Sequence, residues 1–221
     1  MTPTETLETL QLADWRRQVA DLYARVRAVA ASDPEGAWND WRTTRERLFR
    51  EHPQSPVVPA ERAAFRARHW AYDPALRLEG VLEPEPAPAP TPVAAPAFAF
   101  GSLLPISTGG EEGMARLGTV RIPFPDRERT LTAFWMSGYA GGLFLPFRDW
   151  TSGAETYGAG RYLMDTAKSA DLGAGRAPNS LVVDFNFAFQ PSCAFDPRWA
   201  CPLAPPENRL DLRIEAGERI D

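Results

Sequence analysis

Apolar residues of this chain recur at intervals of three and four near its start and at intervals of two from Leu117 onward. That change of period constrains the fold more than any other feature. The first spacing lines one face of a helix and the second lines one face of a strand. Leu12, Trp15, Val19, Leu22, Val26 and Val29 fall on one helical face, so 7–31 is read as an amphipathic helix. Ser32-Asp33-Pro34-Glu35 ends it and starts another: Asp33 can cap, Pro34 fits the first helical position and Glu35 suits the positive dipole end. The second helix should turn Trp38, Trp41, Leu48 and Phe49 inward and stop near His52-Pro53.

Beyond the helices, AERAAFRARHW is read as a short helix and Arg77 to Glu83 as a first strand. Residues 84–97 are a Pro/Ala tract of polyproline or loop character. The stretch from Phe98 to Gly113 has no clear period and reads as a long loop anchored by Phe98 and Phe100. Leu117–Phe124, Thr130–Met136, Leu143–Arg148, Arg161–Thr166, Ser180–Phe189 and Leu210–Ile214 read as strands. In Ser180–Phe189, Leu181, Val183, Phe185, Phe187 and Phe189 should share one face, with Asp184 and Asn186 on the other. Short, closely spaced strands argue for an α+β fold: a helical hairpin packed on a mainly antiparallel β-sandwich or partly open β-barrel. The expected organisation is a hairpin over 1–56 and a β-rich unit over 57–221 with a loop insertion at 84–97, forming one compact body.

Charge and composition narrow the function classes. A formal net charge of -5 gives no basic footprint, which argues against nucleic acid as a partner. MTPTETLETLQLADW has neither the basic nor the apolar region of a secretory signal, and no run approaches the roughly 18 apolar residues of a membrane helix. The expectation is a soluble cytoplasmic protein without a membrane partner. Its cations are almost all Arg, with Lys168 the single lysine, as the codon bias of a GC-rich bacterial genome would produce.

Polar and charged side chains gather between Gly141 and Asn208. Arg148, Arg161 and Lys168 could hold an anion, with Thr151 and Tyr157 as donors, because a guanidinium presents a planar fork to carboxylate or phosphate. The same residues could instead form ion pairs that pin loops. GYAGG and TYGAGRY lack phosphate-loop spacing and read first as tight turns. Asp149, Asp184 and Glu207 are the carboxylates available for acid–base work, and Asn186 and Asn208 could bind a ligand or tie buried backbone. Cys193 and Cys201 match no zinc pattern, and His52 and His69 are distant in sequence. Packed thiols, a short-loop disulfide, a metal ligand pair and a nucleophile all remain open for them.

The blocks GGLFLPFRDWTSGAETYGAGRYL, QPSCAFDPRWACPLAPPENRL and the earlier HPQSP resemble domain-of-unknown-function family 1684, a bacterial and archaeal family of about this length. The likeness runs from the first helix to AGER. It departs at Gln190, where Asn is expected, and in the Pro/Ala tract. The resemblance implies no activity, substrate or cofactor. Two readings follow from the residues. In the first, a small-molecule site for an anionic ligand, of a binding protein or a hydrolase, is formed by the 148–168 loops and the 193–208 segment. In the second, a non-catalytic structural or protein-interaction module docks through tryptophans on the second helix.

Overall fold

A computed structural model describes residues 2–85, 101–109, 111–136 and 141–220. The Pro/Ala tract beyond Glu85, with Phe98 and Phe100, lies outside the described residues. Helix α1 (Pro3–Val29) starts earlier than its apolar period suggests, because Thr2 and Glu5 form a reciprocal capping box at its first turn. Helix α2 (Pro34–Glu51) begins as expected, with Asp33 Oδ1 accepting from the Gly36 amide at 2.8 Å. Trp38, Trp41, Leu48 and Phe49 are all buried. On α1 only Leu22, Tyr23 and Val26 are buried, while Leu12 and Val29 stay 40% and 41% exposed. The helices differ in length, 27 residues against 18, so the first turns of α1 overhang its partner, and Val29 sits at the hairpin tip.

After a single 3-10 turn at Arg62–Ala64, where a longer helix was expected, the strands follow. They are β1 (Arg68–His69), β2 (Arg77–Pro84), β3 (Gly101–Pro105), β4 (Glu111–Pro123), β5 (Glu128–Met136), β6 (Gly142–Phe147), β7 (Arg161–Asp165), β8 (Ser180–Asp184) and β9 (Glu218–Arg219). Much of the stretch read as a long loop before Gly113 is therefore strand β3 and the start of β4. One antiparallel sheet runs β7-β6-β5-β4-β2-β8 with β3 also on β4, and β1 pairs with β9 separately. The large sheet curls into a half-barrel. Past β8 the chain returns to β7, where Tyr162 and Phe189 exchange backbone hydrogen bonds of 2.9 and 3.1 Å.

Both faces of this sheet are covered. Phe134, Phe144 and Tyr162 join the helices in one core, while Leu131, Ala133, Leu145 and Phe147 build a second with Leu210 and Ile214. A bulge in β4 between Arg116 and Gly118 shifts the register. Met114 therefore faces the helices while Val120 and Ile122 face the other core, although all three are even-numbered. Only glycine fits the bulge: Gly118 has φ 152°, and a Cβ there would lie 2.0 Å from the Glu83 carbonyl oxygen.

Two strands differ from expectation. The alternation over 180–189 is cut at Asp184, whose carboxylate accepts from the Asn186 amide at 3.0 Å and turns the chain into a 3-10 turn at Phe185–Phe187. The Phe stripe thus splits, with Phe185 in one core and Phe187 and Phe189 in the other. Leu210–Ile214 joins no strand. It is held beside β6 by main-chain bonds from Leu210 N to Arg148 O and from Trp150 N to Leu212 O.

Trp41 joins the hairpin to the sheet. It is wholly buried, its Nε1 donates to the Tyr23 hydroxyl at 3.0 Å, and its ring meets Phe187 at 5.3 Å. Trp41→Ala should cost about 3–5 kcal/mol through the cavity it leaves. Equilibrium urea unfolding of the variant against wild type measures this as a fall in midpoint at unchanged slope.

Candidate functional site

The first group of expected ligand residues forms a buried clasp. Arg161 opens β7 with its side chain 1% exposed. It donates to the carbonyls of Ala216 at 2.5 Å, Ile214 at 3.0 Å and Glu218 at 3.2 Å, and lies 3.6 Å from Asp149. Asp149 also accepts from the Ile214 amide at 2.7 Å and from Thr151 Oγ1 at 2.8 Å. Burial pulls the Arg161 guanidinium down to about 10, with Asp149 and Glu218 opposing that pull, so it stays charged at neutral pH. Arg161, Asp149 and Thr151 thus seat the chain end against β7, and of the Arg161 guanidinium nitrogens only the buried Nε lacks a hydrogen-bond partner.

The asparagines also act as backbone partners. β5 and β6 pair only from Phe134↔Phe144 to Met136↔Gly142, which leaves Thr132 and Pro146 without each other. Asn208 fills that gap: Oδ1 accepts from Thr132 N at 2.8 Å, and Nδ2 donates to the carbonyls of Thr132 at 2.9 Å and Pro146 at 2.7 Å. Asn186 does the same for Asp73, accepting from its amide and donating to its carbonyl, both at 2.8 Å.

The three carboxylates proposed for acid–base work do not converge. Asp149 belongs to the clasp. Asp184 pairs with Arg77 at 2.9 Å; burial pushes its carboxyl up while Arg77 and Asn186 hold it back. Glu207 is exposed and pairs with Arg116 at 2.8 Å. Arg148 carries the 208–210 segment on its main chain rather than joining Arg161 in a pocket. Lys168 is separate again, bound to the buried Asp165 at 2.7 Å with its own side chain 60% exposed. The triad Arg148, Arg161 and Lys168 is therefore not assembled: the Arg161 guanidinium is held by backbone carbonyls and Lys168 by Asp165.

What does assemble is a pair of thiols with Tyr157 and Lys168. Cys193 and Cys201 are free and buried, and the Cys193 amide donates to Cys201 Sγ at 3.3 Å. Tyr157 hydrogen-bonds to Cys193, and burial together with that bond pushes its hydroxyl up to about 12. The backbone around Cys201 is held by Ser107, whose Oγ accepts from Cys201 N at 3.0 Å and donates to Trp199 O at 2.6 Å. Cys201 forms part of the floor of a groove of about 220 Å3 between α1 and the 192–201 loop, walled by Leu12, Trp15, Arg16, Lys168 and Trp199. Leu12, Trp15 and Arg16 carried no local signal for this role, since on the sequence they belong to an ordinary amphipathic helix. Trp199 stands two residues before Cys201 in a segment already rich in polar candidates.

Among the described residues no three His, Cys, Asp or Glu side chains gather as a metal set, and no helix is long and apolar enough to cross a membrane. The tryptophans of α2 expected to dock a partner, Trp38 and Trp41, are buried. His69 lies between them, at 6.1 and 5.5 Å from their rings.

Arg161→Ala should destabilise by about 3–5 kcal/mol, because it strands the buried Asp149 charge. Arg161→Lys should restore only part of that, since one ammonium cannot span three carbonyls. Urea midpoints of both variants test this, and a midpoint for Arg161→Ala equal to wild type would remove the clasp from the account.

The sequence profile of a family described as protein of unknown function (DUF1684) matches residues 65–219, so the HPQSP block of the hairpin falls outside the matched region. The chain is similar to an uncharacterised protein of Haloarcula marismortui whose solution NMR structure is known. Identity is 29%, coverage is 86% of this chain and 96% of that one, and the TM-score is 0.60. No curated protein matches. With well over half of its length matched, from before β1 to β9, the chain belongs to the DUF1684 family.

Proposed function

We propose that this protein binds a small molecule with an apolar body and an anionic group in the groove between α1 and the 192–201 loop. The observation that carries the reading is the groove's lining: two tryptophans, Trp15 and Trp199, two cations, Arg16 and Lys168, and no carboxylate. Lys168 is already balanced by Asp165, whereas Arg16 has no ion pair among the described residues, so the groove keeps one net positive charge. A pocket that is mostly apolar, with a few placed polar groups, is the usual form of a small-molecule site. Of the ligand residues expected from the sequence the groove takes only Lys168, and it adds α1, Trp199 and Cys201 in place of Arg148 and Arg161.

The reading is one of binding. Asp149, Asp184 and Glu207 each pair with a different arginine, which supports neither the two-carboxylate arrangement of a hydrolase nor a shared proton between them.

Octanoate and octanol differ only in the charged head and serve as probes. Octanoate should shift the backbone amides of Trp15, Lys168 and Cys201 and the indole signals of Trp15 and Trp199 in NMR spectra. It should bind about fivefold tighter than octanol, the size of one exposed charge interaction of about 1 kcal/mol. Arg16→Gln should erase most of that difference. Equal affinity for the two probes, or shifts confined to other residues, would overturn the reading.

A further inference from the structure

The thiol pair has features that packing alone does not require. Cys193 and Cys201 are 7% and 6% exposed, with their side chains hydrogen-bonded to one another. Their backbones are held independently. Cys193 sits in the 3-10 turn Ser192–Ala194 behind Pro191, while Cys201 exchanges main-chain and side-chain bonds with Ser107. Both sulfurs are thus presented to each other by fixed backbone, and Cys201 faces the groove, which is open to small solutes. Tyr157 and Cys201 both donate toward Cys193. Hydrogen-bond donors are what stabilise a thiolate, the reactive form of cysteine.

We propose that Cys193 and Cys201, the latter on the floor of the groove, are a redox-active dithiol that a peroxide converts into an intrachain disulfide. Cys193, as thiolate, attacks one peroxide oxygen. The O–O bond breaks, and the departing hydroxide takes up a proton and leaves as water. Cys193 is then a sulfenic acid, oxidised by two electrons. The Cys201 thiol gives up its proton and attacks Cys193 Sγ. The S–O bond breaks, and the hydroxyl leaves with that proton as a second water. In sum, two thiols and one hydrogen peroxide give one disulfide and two waters.

The division of labour follows the hydrogen bonding. The Cys201 thiol donates to Cys193 and, with Tyr157, holds it below the ordinary thiol range against burial, while holding that shared proton pushes Cys201 up. Cys193 is therefore the attacking sulfur and Cys201 the resolving one. The pair is independent of what the groove binds.

The test uses the full chain, hydrogen peroxide at one equivalent and pH 7, followed by intact mass measurement and alkylation with N-ethylmaleimide after unfolding. Wild type should lose about 2 Da and both alkylatable thiols together, form no disulfide between chains, and recover both thiols with a phosphine reductant. Cys201→Ser should stop at a sulfenic acid on Cys193 that dimedone traps, and Cys193→Ser should keep its remaining thiol. The initial rate for wild type should rise with pH through a midpoint below the about 8.5 of an ordinary thiol. Three results would overturn the proposal: both thiols persisting under peroxide that consumes free glutathione, oxygen gained on one cysteine while the other stays alkylatable, or disulfides forming only between chains. The wild-type readout does not depend on whether either variant folds.

Discussion

A single buried guanidinium holds the end of this chain in place, and much of the rest depends on it. Arg161 reaches from β7 to the carbonyls of Ile214, Ala216 and Glu218 and faces Asp149, which grips the Ile214 amide from the other side. The segment so held carries Glu218, which Arg45 of α2 grips through Nε at 2.5 Å and Nη2 at 3.1 Å and which also accepts from the Gln190 amide at 2.7 Å. Burial works against the charge on Glu218, and Arg45 and His69 hold its carboxyl below the usual range. Helix, sheet and chain terminus are therefore joined by charges that water cannot screen. A group of this kind is strongly destabilising once one member is lost.

The same economy appears in the asparagines. A curled sheet must part its strands somewhere, and each parted pair leaves backbone donors and acceptors without partners. Asn208 inserts its side-chain amide where β5 leaves β6, and Asn186 does so where the chain turns past β8. Both side chains imitate a strand's own donor and acceptor. A polar residue at such a place looks, on sequence alone, like a ligand-binding residue, because the chemistry that satisfies a backbone is the chemistry that binds a substrate.

The groove arises from what the clasp leaves uncovered. With 208–218 drawn against β6 and β7, the 192–201 loop stands over α1, and Trp15, Lys168, Trp199 and Cys201 face one another across the gap. The apolar face of α1 is longer than the surface it packs on, and its surplus becomes one wall. The two thiols beneath it are brought together by backbone that is fixed on each side, so their contact does not depend on the occupant of the groove.

Several elements could be read directly from the chain. The Ser-Asp-Pro-Glu junction set the start of α2, because capping is a contact within four residues. Alternation marked β5, β6 and β7 to within two positions and the second half of β4, because burial on each face of a strand is local and periodic. Tertiary structure alone decided where the polar residues went. The phenylalanine stripe of 180–189 was divided between two cores by an Asp184 side chain competing with the strand for its own backbone. Arg161 was taken from the expected pocket by carbonyls some fifty residues away. Leu12, Trp15 and Arg16 joined the groove only because the hairpin lies beside the 192–201 loop. Period and caps depend on near neighbours and so can be read in sequence. The partner of a buried charge is set by desolvation, which acts only once the fold has closed around it.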